Sequence, residues 1–197
     1  FDKFFVLQAI NELRHIVSSP ELDNNKIISS KKEVLIENVI EAIENDHKVL
    51  IFVNYLSSIE SICNSLKENK IKFLKMTGQT KDRQSLVDKF QSDNRYKVFV
   101  MTLKTGGVGL NLVSADTIFI YDPWWNKTVE NQAIDRAYRL GQDKTVFAYK
   151  MIMRNTIEEK ILKLQEIKDK LLDDLISEDN LSTKNLSKND IEFILGN

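Results

Sequence analysis

Three short runs of nearly uninterrupted apolar residues, KVLIFVNY (48–55), YKVFVM (96–101) and TIFIYD (117–122), constrain this chain more than any other feature. Runs of that length without polar alternation suit strands buried on both faces, as in parallel sheets covered by helices. The intervals supply the helices. Glu33 to about Asn45 is amphipathic, Ser57 or Ser58 can cap a helix carrying Ile59, Ile62, Cys63 and Leu66, and Leu86, Val87 and Phe90 mark a third. Further short strands are predicted at 71–76 and at Val146 to Met151, with a helix from about Thr128 to Leu140 after the turn at Pro123. The alternation predicts an open α/β domain with its ligand sites at the carboxyl ends of the strands, in the loops after Val53, Met76, Met101 and Tyr121.

Helical periodicity extends to both sides of this unit. Phe5, Leu7, Ile10, Leu13, Ile16 and Val17 form an opening helix that stops near Ser18-Ser19-Pro20, followed by a polar loop over 21–32. Ile157, Ile161, Leu164, Lys168, Leu171 and Leu175 make one stripe on a long helix, with Glu159/Lys163 and Glu166/Lys170 as supporting pairs. A polar stretch, 177–189, leads to LSKNDIEFIL, which reads as a short capped helix. The organisation expected is a linker helix and loop (1–32), the α/β unit (33–154), a brace helix (155–176) and a tail (177–197).

Composition narrows the chemistry. The 197 residues are 42% apolar and 29% charged with a net charge of −1, so any nucleic-acid contact must be local rather than a property of the whole surface. A lone cysteine, Cys63, cannot form an internal disulfide, and the two histidines, His15 and His47, lie too far apart for zinc-ligand spacing. No apolar run approaches the length of a membrane span and the N-terminus has no signal-peptide pattern, so a soluble intracellular protein with no membrane partner is expected. The Ile-, Asn- and Lys-rich composition points to an AT-rich bacterial genome.

The loop TLKTGGVGLNL (102–112) places Gly106, Gly107 and Gly109 directly after a buried strand, where backbone with positive φ can present N–H groups to an anion. A dinucleotide fingerprint would also need glycine at position 112, which is leucine, and an acid at the end of the next strand, which Asp122 loosely supplies. A phosphate loop of the GxxxxGK[ST] type would need a Gly-Lys pair, and the chain has none. A tight turn without a ligand remains an alternative for this loop alone. Further on, QAIDRAYRLGQ (132–142) places Gln132, Arg136 and Arg139 on one face of the helix predicted there. Such a face can be merely solvated and paired with Asp135 and Asp143. It also suits a phosphate, because arginine forks stay charged and bind oxygens bidentately. Between the two segments, YDPWWN carries Trp124 and Trp125 at a strand end, where they could pack in the core or abut a nucleic-acid strand.

TLKTGGVGLNLVSADTIFIYDPWWN followed by ENQAIDRAYRLGQ resembles the fifth and sixth helicase motifs of the Swi/Snf family, in order and at the family's separation. KVLIFVNY resembles the fourth motif, and MTGQTKDRQSLVDKF (76–90) the glycine-threonine-arginine stretch after it. NTIEEKILKLQEIKDKLL (155–172) resembles the trailing brace helix, and the first twenty residues the segment that links the two lobes. Thr105 stands where alanine is usual, and Lys127-Thr128 replace the usual Pro-Ala.

The resemblance implies a RecA-like second lobe, an open parallel sheet flanked by helices with helical extensions at both ends. In such motors an N-terminal RecA-like lobe carries the phosphate loop and the magnesium-binding carboxylates, so ATP and Mg2+ would be held mainly there. This lobe would contribute Arg136 and Arg139 as arginine fingers. Gln132 would help place the nucleotide, and Gly107, Gly109 and Asn111 would couple the ATP cleft to the DNA track. Gly78, Arg83 and the segment Lys104, Thr105 and Gly106 would hold phosphates of one strand of double-stranded DNA. A DNA-bound protein would be a further partner, and such a motor would be cytoplasmic and nucleoid-associated in a bacterium, nuclear in a eukaryote. Two other readings stay open: the lobe of another superfamily-two helicase with true strand separation, and a non-catalytic scaffold derived from such a lobe.

Overall fold

The computed structural model describes residues 3–22, 27, 29–106, 109–124 and 126–175, together with 189 and 193. Five parallel strands, β1 (Val49–Val53), β2 (Phe73–Met76), β3 (Val98–Thr102), β4 (Thr117–Ile120) and β5 (Phe147–Lys150), form one sheet in the order β2-β3-β1-β4-β5. The central strand alternates its side chains between two apolar layers, as a pleated strand must. Leu50 and Phe52 join a core with Phe90, Phe99, Met101, Ile118, Ile120, Ala133 and Ala137. Val49, Ile51 and Val53 join the opposite core with Leu35, Val39, Ile59, Ile62 and Leu66. The sheet is therefore covered on both faces, which explains why its inner strands read as continuous apolar runs.

The helices are α1 (Lys3–Ser18), α2 (Ser30–Glu44), α3 (Leu56–Glu68), α4 (Arg83–Ser92), α5 (Leu103–Gly106), α6 (Lys127–Ile134) and α7 (Ile157–Leu175). Several depart from the sequence expectations. The α2 helix begins three residues before Glu33 because the Ser29 hydroxyl caps it, accepting from the Lys32 amide at 3.3 Å. Neither Ser57 nor Ser58 caps α3, since Tyr55 is the cap residue and Ser58 is a buried hydrogen-bond partner of Ser18. Part of the expected 21–32 loop is a 3-10 turn at Pro20–Leu22.

Another correction concerns the helix expected over Thr128 to Leu140, which ends at Ile134. Beyond it i→i−3 bonds appear, Arg136 N to Ala133 O at 3.2 Å and Ala137 N to Ile134 O at 3.0 Å, the latter carbonyl shared with Tyr138 N at 3.2 Å. Continuation would require the Arg136 and Ala137 carbonyls to accept from residues 140 and 141. Instead Arg136 O accepts from Leu112 N at 3.0 Å, and Ala137 O from the Gln142 side chain at 3.2 Å. Gly141, at φ +98°, then turns the chain toward β5.

At the outer ends, Ile157, Ile161 and Leu164 of α7 are buried as the stripe predicts; the side chains of Lys168, Leu171 and Leu175 lie outside the described residues. So does the tail helix expected over 186–195, apart from Asn189 and Phe193.

Candidate functional site

The carboxyl edge of the sheet gathers the segments singled out from sequence. Parallel register pairs Met76 with Met101, so the loops leaving β2 and β3 emerge side by side. On the first, Gly78 is exposed and its carbonyl accepts from Arg83 Nη2 at 3.3 Å, while Arg83 Nε reaches Thr80 O at 3.4 Å. Arg83 thus braces its own turn, and Asp82 caps α4 beside it by accepting from Ser85 N at 3.1 Å. On the second loop the chain makes the single helical turn α5 rather than an open glycine bend. Lys104 is exposed on it, and Gly106 closes it.

Thr105 is turned inward. It is 3% exposed, its hydroxyl lies 2.6 Å from that of Thr102, and its amide donates to the Thr102 hydroxyl at 3.2 Å. A phosphate contact from its side chain or amide, as the resemblance implied, would have to displace those bonds. Gly109 has the positive φ expected of the loop, +54°, and Asn111 beside it is exposed. Gly107 lies outside the described residues, as does Trp125.

Gln132 sits on α6, whereas Arg136 and Arg139 come off the consecutive turns beyond its end, which corrects the expectation of one helix face. Each arginine folds back over the preceding turn through Nε: Arg136 to Gln132 O at 3.0 Å and Arg139 to Asp135 O at 3.2 Å. Both bonds use Nε, which leaves the planar Nη pair at the far end of each fork. The Leu112 N to Arg136 O bond then ties this segment directly to the end of the glycine loop.

Trp124 does not present a bare indole to solvent. It is half-buried against the core, with the Arg14 guanidinium 4.7 Å from its ring. Asp122, the acid at the strand end, is engaged by the protein itself: it is 1% exposed, accepts from Asn54 N at 2.9 Å and accepts from the Ser18 hydroxyl. The end of α1 therefore occupies the mouth between β1 and β4 where a dinucleotide would sit in other open sheets.

Sequence reasoning missed three supports of this site. Gln142 Nε2 is shared among Val113 O, Ala115 O and Ala137 O at 2.9, 2.8 and 3.2 Å, stapling the arginine turns to the approach of β4. Arg14 is 2% exposed; burial pulls its pKa below the usual value, opposed by Tyr55 and the Asp122, Glu158 and Glu130 carboxylates. Glu130, 1% exposed, accepts from Trp124 N at 2.7 Å. A polar residue at an apolar position of a helical pattern, as at Arg14 and Glu130, is the one signal that could have found them.

Chemically the arrangement offers arginine forks suited to phosphate oxygens. Among the described residues no group of three or more His, Cys, Asp or Glu is placed to hold a metal ion. Among the same residues no helix is long and apolar enough to cross a membrane.

Residues 30–141 match the helicase conserved C-terminal domain. The chain is 39% identical over 89% of its length to an uncharacterized ATP-dependent helicase of Mycoplasma pneumoniae, covering 17% of that protein. It is 36% identical over 96% of its length to the putative ATP-dependent helicase/translocase YwqA of Bacillus subtilis, covering 22%. It is also 40% identical over 80% of its length to the DNA repair protein RAD5 of Mycosarcoma maydis, covering 12%. The solved C-terminal part of the Fun30 ATPase domain matches with a TM-score of 0.65 at 36% identity, over 68% of this chain and 44% of that one. The chain thus spans less than a quarter of the length of these curated relatives. With a five-stranded parallel sheet behind it and ATP-dependent helicases and Swi/Snf-type remodellers among its relatives, this chain belongs to the helicase C-terminal domain family.

Proposed function

We propose that the chain is the second motor lobe of an ATP-dependent double-stranded DNA translocase of the Swi/Snf type, completing an ATP site whose phosphate loop and Mg2+-binding carboxylates belong to an N-terminal RecA-like lobe. The observation that carries this is the tie between Leu112 N and Arg136 O, which makes the glycine loop and the arginine turns one mechanical unit. In this reading Arg136 and Arg139 reach the γ-phosphate and neutralise the charge that develops as it departs, an effect worth roughly 10³ to 10⁵ in rate. Gln132 orients the nucleotide. Gly107, Gly109 and Asn111 pass the change at the ATP site to the loops that touch DNA. Gly78, Arg83, Lys104 and the backbone to Gly106 contact phosphates of one strand, contacts that position a protein without reading sequence. Trp124 acts from within, as the base on which α6 stands.

The chain alone has no Gly-Lys phosphate loop, so by itself it is inactive in this reading. The decisive experiment uses the full-length protein. Arg136→Ala and Arg139→Ala each abolish DNA-stimulated ATP hydrolysis while nucleotide binding, read by a fluorescent ATP analogue, persists. Wild-type turnover in either variant overturns the assignment.

A further inference from the structure

The turn that launches α6 is gripped from both ends of the chain. From α1, Arg14 Nη2 donates to Pro123 O at 2.8 Å, and the guanidinium lies 4.7 Å from the Trp124 ring and 5.6 Å from that of Tyr55. From α7, Gln165 Nε2 donates to Trp124 O. The Trp124 amide donates to Glu130 Oε1 at 2.7 Å, and Lys150 bridges Glu130 Oε2 at 2.6 Å and Gln165 Oε1 at 2.7 Å. Two successive carbonyls and the intervening amide are thus fixed by side chains from α1, α6 and α7. Gln165 is 2% exposed, so this is a sealed joint and not a surface contact.

Nothing in a plain packing role asks for a buried guanidinium at Arg14, because an apolar residue could cover Trp124 without the cost of desolvating a cation. An arginine does add orientation: its flat fork can stack on a ring and direct an N–H at a carbonyl at once, which lysine cannot. The turn it orients is the base of a short lever. The α6 helix has eight residues, so it is about 12 Å long and a tilt of about 5° at its start moves its far end by about 1 Å. The turns directly beyond its far end carry Arg136 and Arg139. A displacement of about 1 Å in a catalytic group can cost on the order of 10²-fold in rate.

We propose that Arg14 is a positioning residue for ATP hydrolysis: by fixing the Pro123-Trp124 turn from α1 it sets the aim of Arg136 and Arg139, so that the placement of α1 governs turnover. The proposal rests on the arginine assignment above. The test is steady-state kinetics on the full-length protein carrying Arg14→Met, which keeps bulk over Trp124, and Arg14→Lys, which keeps charge but loses the fork. Arg14→Met lowers the DNA-stimulated kcat at least about 10-fold, with KM for ATP and the DNA concentration for half-maximal stimulation within about twofold of wild type; Arg14→Lys falls between the two.

Gln165→Leu, which frees the same turn from the α7 side, reproduces the kcat-selective loss. Wild-type kcat in Arg14→Met overturns the proposal. A KM that rises in step with the fall in kcat also overturns it, as does loss of a cooperative melting transition in both Arg14 variants, since either marks a purely structural role. If Arg136→Ala and Arg139→Ala lose turnover while the Arg14 variants do not, the positioning role alone fails. If the two finger variants keep turnover, the functional reading itself fails.

Discussion

Leu112 donates its backbone amide to the carbonyl of Arg136 at 3.0 Å, and that bond helps to end α6 where it ends. A regular helix would point the Arg136 carbonyl along its own axis. Diverted to Leu112, it lets the chain turn and carries Arg136 and Arg139 off the helix beside the glycine loop. The bond is part of a small scaffold that includes the Gln142 side chain, so the site is held by backbone groups as much as by the arginines.

Gln142 offers a direct probe of that scaffold, because its amide serves the Val113, Ala115 and Ala137 carbonyls while its oxygen accepts from Lys144 N at 3.0 Å. Gln142→Ala is expected to destabilise the fold by about 1 kcal/mol, the low end for lost hydrogen bonds, since the site is half-exposed and water can replace part of what is lost. Gln142→Glu is expected to be worse, because a carboxylate would face carbonyl oxygens. Urea denaturation gives the ranking. Amide hydrogen exchange at Leu112 and Ala137 should accelerate in both variants, and unchanged protection there would argue that the staple contributes nothing.

The fold was largely legible because its cause is local. Strands buried on both faces must be apolar throughout, so β1, β3 and β4 appear in the sequence as runs, and the helices between them follow from their single apolar stripes. What could not be read was decided by partners distant in sequence. The end of α6 depends on Leu112 and Gln142, the inward turn of Thr105 depends on Thr102 at the end of β3, and the burial of Trp124 depends on Arg14 and Gln165. Periodicity continues a helix through Arg139 because nothing in QAIDRAYRLGQ is a helix breaker before Gly141. The residues of the proposed site were therefore named from the resemblance, while the local geometry around them was not legible.

Lys31 and Glu158 join the start of α2 to the start of α7 through a buried ion pair, Nζ to Oε1 at 2.5 Å, with side chains 2% and 3% exposed. Glu158 Oε2 also accepts from Met153 N at 2.9 Å. Burial raises the Glu158 pKa above its ordinary value of 4.5, with Lys31 pulling it back down. Removing the cation alone strands a buried carboxylate, so Lys31→Met is expected to cost about 3–5 kcal/mol near neutral pH. A group whose folded pKa is raised favours the folded state most at low pH and loses that contribution as pH rises through the folded value. The penalty of Lys31→Met should therefore shrink as pH falls and Glu158 takes up a proton. The double variant Lys31→Met/Glu158→Leu should recover most of the loss, because neither charge then needs solvation. Urea denaturation of the three variants across pH checks this, and a pH-independent penalty would contradict it.

Asp116 predicts the opposite slope with acid. Its side chain is 1% exposed, with His47 Nδ1 and Lys144 Nζ each 3.0 Å from Oδ2 and the Thr117 hydroxyl 3.3 Å from Oδ1. Burial alone would push this carboxyl up, but the contacts from His47 and Lys144 outweigh it and hold the pKa below the ordinary value of 3.8. A carboxyl with a depressed folded pKa contributes stability at pH above its unfolded value and loses it as pH falls through the folded one. The wild-type chain should therefore lose this contribution only below about pH 4, and Asp116→Asn should be less stable at neutral pH but flatter across the acid limb. Lys144 is 58% exposed, so Lys144→Met is expected to cost under about 1 kcal/mol and less still in high salt. Asp116→Asn should cost more than Lys144→Met, because Asn can replace the hydrogen bonds but not the charge facing two basic groups. Thermal melts of the three proteins between about pH 3 and pH 7 separate these effects, and an acid limb in Asp116→Asn as steep as the wild type would show that another carboxylate governs it.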